Sequence, residues 1–112
     1  MCGMDQGIDV RRQKAATTIY VECATQLFEI KVVSPEHSLL QITSNAPALR
    51  IPVVGQLVQS IRTGSPAKPF WIGKGAAMQL RFNNGIFVSE PVIAASIKGE
   101  GWEYEVFAEP AA

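Results

Sequence analysis

The sequence is poor in the side chains that build metal and nucleophilic centres. Among 112 residues it has one histidine, His37, and two cysteines, Cys2 and Cys23. A metal site needs several ligands at close spacing, and His37 has no Cys or His neighbour to share an ion. A nucleophile with a histidine base would need His37 beside Cys23 or a serine, and no Gly-x-Ser-x-Gly elbow occurs. Gly73-Lys74-Gly75 is too short for a Walker-type phosphate loop. Glu103 and Glu105 are the one carboxylate pair, two apart on a strand face expected to be solvated. No cofactor or metal is implied, and the chain is expected not to be an enzyme. No apolar run approaches the ~20 residues that span a bilayer, and the N-terminus lacks the apolar segment of a secretory signal. These absences predict a cytoplasmic chain with reduced thiols and no membrane partner.

Acidic residues are missing from one half. From His37 to Ser89 there is no Asp or Glu, while Arg50, Arg62, Lys68, Lys74 and Arg81 lie in that span. Glu90, Glu100, Glu103, Glu105 and Glu109 follow, against Lys98 alone. The totals cancel to a net charge of zero. Such asymmetry either marks an anion-binding face or is neutralised across strand pairs.

What is present is alternation. Met78, Leu80 and Phe82 share one strand face and Gln79 and Arg81 the other. Asn84-Gly85 suits a two-residue hairpin turn, which sets Phe82 opposite Phe87 and Arg81 opposite Val88. Pro91 lacks a donor and marks an edge, a bulge or a strand start. Gly99-Glu100-Gly101 makes the next turn, and Trp102, Tyr104 and Val106 then share a face. The stretch from Met78 to Phe107 reads as a three-strand meander, with Trp102 in the core. Upstream, a turn at Ala24-Thr25 pairs Val21 with Phe28 and Ile19 with Ile30, leaving Tyr20 near Glu29. Leu39 to Thr43 is a further strand, with Leu49-Arg50-Ile51 as its return. Pro52 to Ser65 fits helix or strand, and Gly55 favours strand.

The length suits one domain. The expected division is a flexible tail or loosely docked arm over 1–15, a β domain over 16–108 and a frayed end over 109–112. The fold class predicted is all-β: a small, partly open barrel of about six to eight short antiparallel strands. One short helix near Val54 to Ile61 is the alternative.

From Gly73 onward, the turn at Gly75, the aromatic Phe87 and the final Tyr104-Glu105-Val106 resemble small SH3-like or Tudor-like barrels. The likeness covers about a third of the chain. It implies recognition of peptide or nucleic acid through loop aromatics, here Phe70 and Trp71. A PilZ-like shape is compatible, but Ala15 and Ala16 stand where the arm of that family carries its second arginine, so its ligand is not implied. Met-Cys-Gly at the start is similar to N-terminal nucleophile amidotransferases at Cys2 and Gly3 only, and their further motifs are absent.

Lys68, Phe70, Trp71, Lys74 and Arg81 are therefore the candidate ligand-binding residues. Aromatic faces stack bases, and cations follow phosphates. The competing expectation makes Trp71 the plug at one end of the barrel, with Phe70 closing the loop beneath. Two roles lead: a non-enzymatic binding module for an anionic partner (nucleic acid or an acidic protein surface), or a homo-oligomer formed through a sheet edge such as Val92 to Ile97; a small enzyme of unknown class is the third reading.

Overall fold

The structure is a computed structural model that describes residues 6–83 and 85–108. Residues 1–5 of the expected tail with Cys2, Asn84 of the expected turn, and the expected frayed end at 109–112 lie outside the described residues.

The fold is all-β and antiparallel, as the alternation predicts. Its strands are β1 (Gly7–Asp9), β2 (Thr18–Cys23), β3 (Leu27–Ser34), β4 (Leu39–Ser44), β5 (Val53–Ile61) and β6 (Lys68–Pro69), then β7 (Trp71–Gly73), β8 (Ala77–Phe82), β9 (Gly85–Val88), β10 (Val92–Gly99) and β11 (Trp102–Phe107). That is more than the six to eight expected, because β1, β6 and β7 are too short to show a period. Helix is confined to single 3-10 turns at Val10–Arg12, Pro35–His37 and Pro47–Leu49. The helical alternative at Val54 to Ile61 is thus replaced by β5. Gly55 fits there because a Cβ would stand 2.5 Å from the Phe82 ring.

The main sheet runs β11-β10-β2-β3-β4-β5-β8-β9, with β6 also beside β5. No ladder joins β9 to β11 among the described residues. The β2–β3 hairpin has the predicted register, with Val21 opposite Phe28, Ile19 opposite Ile30 and Tyr20 opposite Glu29. Inward side chains from seven strands of this sheet form one core, in which Ile19, Ile30, Ile42, Leu57, Met78, Val92 and Phe107 are buried. A separate ribbon, β1 paired with β7, adds Ile8 and Ile72 to the same core. It touches β5 and β8 on one side and β11 on the other. Residues 7–12 of the expected tail are therefore docked, and Val10 is fully buried.

Several expectations are corrected. The β8–β9 hairpin closes one residue earlier, pairing Phe82 with Gly85 and Arg81 with Ile86. The inward face is kept, since the partner slips by two positions and strand side chains repeat every two. Phe87 now lies opposite Leu80 and meets Phe28 edge-on at 6.2 Å. The three-strand meander is broken at Ser89-Glu90-Pro91. There the chain leaves the β9 edge and crosses to β2 on the far side of the sheet, where β10 lies between β2 and β11. Val92 to Ile97 is consequently an interior strand and not an edge. Leu49 ends a 3-10 turn instead of opening a return strand. Trp102 is 47% exposed, not core, because β11 is the outermost strand.

The crossing is held at Glu90. Its carboxylate accepts from the Thr25 backbone N–H at 2.8 Å and from the Thr25 hydroxyl at 2.5 Å. Its own N–H donates to the Gln26 side chain at 2.9 Å. The two Thr25 bonds favour the charged form and hold the Glu90 carboxyl below its ordinary range, the Thr25 hydroxyl contributing most.

Candidate functional site

The site is built where the β1–β7 ribbon meets β11. Asp9 ends β1 and caps the following turn, its carboxylate accepting from the Arg11 N–H at 3.0 Å. Val10 is anchored in the core, and its N–H donates to the Phe70 carbonyl at 3.0 Å. That anchor leaves the flanking Arg11 and Arg12 at the surface. Each guanidinium comes within 3.8 Å of the Asp9 carboxylate. Both pairs are solvent-screened and contribute little to stability.

Phe70 is the kink that brings the second wall into place. Lys68 and Pro69 pair with Ser60 and Gln59 of β5, whereas Trp71 pairs with Asp9 of β1. The chain changes partner at Phe70, whose φ is +58°. A bulky residue in that region is strained by about 1–2 kcal/mol. Packing of the ring against the core opposes this strain, and the Arg11 guanidinium covers the ring at 4.1 Å from its centroid. Phe70 and Ile72 face the core, and Trp71 between them faces the groove.

Trp71 is bedded on glycine. Gly7 and Gly73 face each other across the ribbon. A Cβ on Gly7 would stand 2.5 Å from the indole, and one on Gly73 would stand 2.7 Å from it. The Lys68 ammonium sits over the ring at 3.6 Å from its centroid. Trp71 is thus half-buried in the wall of the groove.

The opposite wall is β11, with Tyr104 and Val106 toward the groove. The groove measures about 610 Å³, and Arg11, Arg12 and Lys68 line it against a single carboxylate, Asp9. Its cations are surface-held and its apolar parts come from Trp71, Tyr104, Val106 and Ile97.

Three of the five candidate residues are brought together: Lys68 and Trp71 in the groove, and Phe70 beneath Arg11. Lys74 and Arg81 are not. Lys74 sits past the end of the ribbon, where its N–H donates to the Gln6 carbonyl at 3.0 Å. Arg81 lies on the outer face of β8 and donates to the Gln56 side chain at 2.7 Å. Sequence reasoning placed Arg11 and Arg12 in a tail and missed Tyr104. The alternation of buried Ile8 and Val10 around Asp9 was the available signal for a docked strand.

Cys23 and His37 lie apart from the groove. Burial, helped by the nearby Glu90 carboxylate, pushes the Cys23 thiol up to about 11, and its Sγ lies 3.3 Å from the Glu90 carbonyl. His37 Nδ1 is 2.9 Å from Ser34 Oγ within an exposed turn. Compared with known proteins, the chain matches no family model, no curated protein and no solved structure.

Proposed function

We propose that the chain is a non-enzymatic binding module for an anionic partner, a nucleic acid or an acidic protein surface, held in the groove between β1, β7 and β11. The observation that carries this reading is the lining: three cations and two aromatic rings face one carboxylate. Two of the cations already lie over aromatic faces, so their charge is presented at a fixed position. Cys23, protonated at neutral pH, is a poor nucleophile, which fits a non-catalytic role.

Titration with inorganic polyphosphate, followed by tryptophan fluorescence, tests the reading, because Lys68 touches the Trp71 ring. Lys68→Glu and Arg12→Glu are expected to weaken binding several-fold, while Arg81→Glu leaves it unchanged. Equal loss in all three, or no saturable change in the wild type, overturns it.

A second reading rests on β9. This edge strand carries no charge, and Ile86 and Val88 are 59% and 51% exposed. Uncharged edges favour strand addition, here by a second copy. Sedimentation over a wide concentration range would show a dimer that Ile86→Lys abolishes, and a monomer throughout removes this reading.

We further read the curled sheet as a small, partly open barrel, SH3-like in character. The shared core and the ribbon spanning from β5 and β8 to β11 support it. An experimental structure with a flat sheet would overturn it. The described residues contain no helix long and apolar enough to cross a membrane. We place the chain in the cytoplasm, a reading that fits the free, buried Cys23. Recovery of the tagged chain outside that fraction would contradict it.

A further inference from the structure

A second groove, of about 510 Å³, lies beside the first, lined by Lys14, Tyr20, Lys98 and Trp102. Their linings follow one another along the chain. Arg11 to Gln13 line the first and Lys14 to Thr18 the second. Between them stand Tyr104 and Trp102, stacked at 5.7 Å between centroids and 24° between planes. Both are about half exposed, at 55% and 47%. Strand period puts them on one face of β11, about 7 Å apart along the backbone. Trp102 is propped on Gly99, where a Cβ would overlap the indole.

We infer that this tract binds single-stranded nucleic acid, with bases stacking on Tyr104 and Trp102 and phosphates following Arg11, Arg12 and Lys14 along one side, with Lys68 and Lys98 at the two ends. The inference rests on the anion-binding reading of the first groove and names its ligand class. An acidic peptide would need the cations but not two exposed, stacked rings. Bases need both, since every base offers a π-face and stacking tolerates any sequence. Three carboxylates lie on or beside the tract, and one of them, Glu103, stands opposite Lys98 in the β10–β11 ladder. Asp9 is held between Arg11 and Arg12, and Glu100 sits in the turn at the far end. Glu105 faces away, lining a different cleft. The five cations thus outnumber the acids along the path, although the whole chain is neutral.

The test uses the full chain with three ligands: a ten-residue oligouridylate, inorganic polyphosphate of similar charge, and a ten-residue polyglutamate. Two variants discriminate. Tyr104→Leu keeps apolar volume on an exposed strand position but removes the π-face. It is expected to weaken oligouridylate binding on the order of tenfold and polyphosphate binding far less. Lys98→Ala is expected to lower the slope of log affinity against log salt for oligouridylate by about 0.7. Thermal melts confirm that both variants fold. If no ligand binds, the anion-binding reading fails and this inference falls with it. If polyphosphate binds as well as oligouridylate and Tyr104→Leu alters neither, the groove remains an anion site and the nucleic-acid assignment is overturned. Tighter binding of polyglutamate also overturns it, in favour of an acidic protein partner.

Discussion

Gly7→Ala is the most informative single change, because it separates steric room from backbone freedom. Neither Gly7 nor Gly73 has a positive φ, so alanine meets no backbone strain at either position. The cost is purely one of space. At Gly7 the new Cβ would stand 2.5 Å from the Ile72 carbonyl oxygen and 2.5 Å from the Trp71 ring. Contact distances between such atoms are about 3.5 Å, so the groups must part by about 1 Å. The ring can swing outward past Lys68. The carbonyl cannot move without disturbing the β1–β7 ladder. At Gly73 the close contacts are to the ring, at 2.7 and 2.8 Å, with Ala76 at an ordinary 3.9 Å, and a rotation of Trp71 relieves them. Overpacking costs about 1–3 kcal/mol, with Gly7→Ala near the top of that range and Gly73→Ala near the bottom. For 112 residues, 1 kcal/mol shifts the melting midpoint by about 4 °C. Gly7→Ala should therefore lower it by about 8–12 °C and Gly73→Ala by about 4 °C. In a Trp102→Phe background, Trp71 emission should shift to the red in both. Polyphosphate affinity should fall more in Gly7→Ala, which displaces Arg11 and Arg12 with the ribbon. Melts of both variants that coincide with wild type would refute the packing argument. A larger loss in Gly73→Ala would show that the ring, not the ladder, is the rigid partner.

Other outcomes follow from the core and the crossing. In a Cys2→Ala background, Cys23 should react with a soluble disulfide reagent at neutral pH only as fast as the protein opens, because its thiol is buried and titrates near 11. Labelling at the rate of a free thiol would contradict this. The same shift makes stability fall as pH rises from about 9 to about 11, since the unfolded chain then loses the proton first. A Cys23→Ala variant should lack that alkaline slope in denaturant titrations. For Glu90 the sign is opposite. Its folded carboxyl lies below the unfolded value, so its contribution is present above the ordinary carboxylate range and disappears as pH falls through the lowered one. Thermal melts of Glu90→Gln from pH 6 downward should show a shallower acid loss than wild type, and parallel curves would refute the Thr25 clamp. Ile42→Ala, on a central strand with a fully buried side chain, should cost about 2–5 kcal/mol in a denaturant titration.

The alternation of Ile19 and Val21 against Phe28 and Ile30 was enough to pair β2 with β3 in the correct register, and it made the all-β class legible. Period-two patterning works there because one face is buried, and a slip by one residue would expose it. Patterning could not distinguish slips of two residues, so Asn83, Asn84 and Gly85 offered two equivalent hairpin closures, and the one adopted sets Phe87 edge-on to Phe28. Pattern alone also says nothing about which strands are neighbours. The alternation from Met78 to Phe107 continues across Pro91, yet Glu90, held by Thr25, sends β10 to the other side of the sheet. The candidate site shows the same division. Lys68 and Trp71 were visible as adjacent residue types, because cations and aromatics are local facts of the chain. Their assembly with Arg11, Arg12 and Tyr104 was not, because those residues come from three distant segments. The burial of Val10, the kink at Phe70 and the position of β11 at the sheet edge unite them. Local side-chain chemistry and periodicity are thus written in the sequence, whereas the groove depends on long-range packing that only the tertiary structure decides.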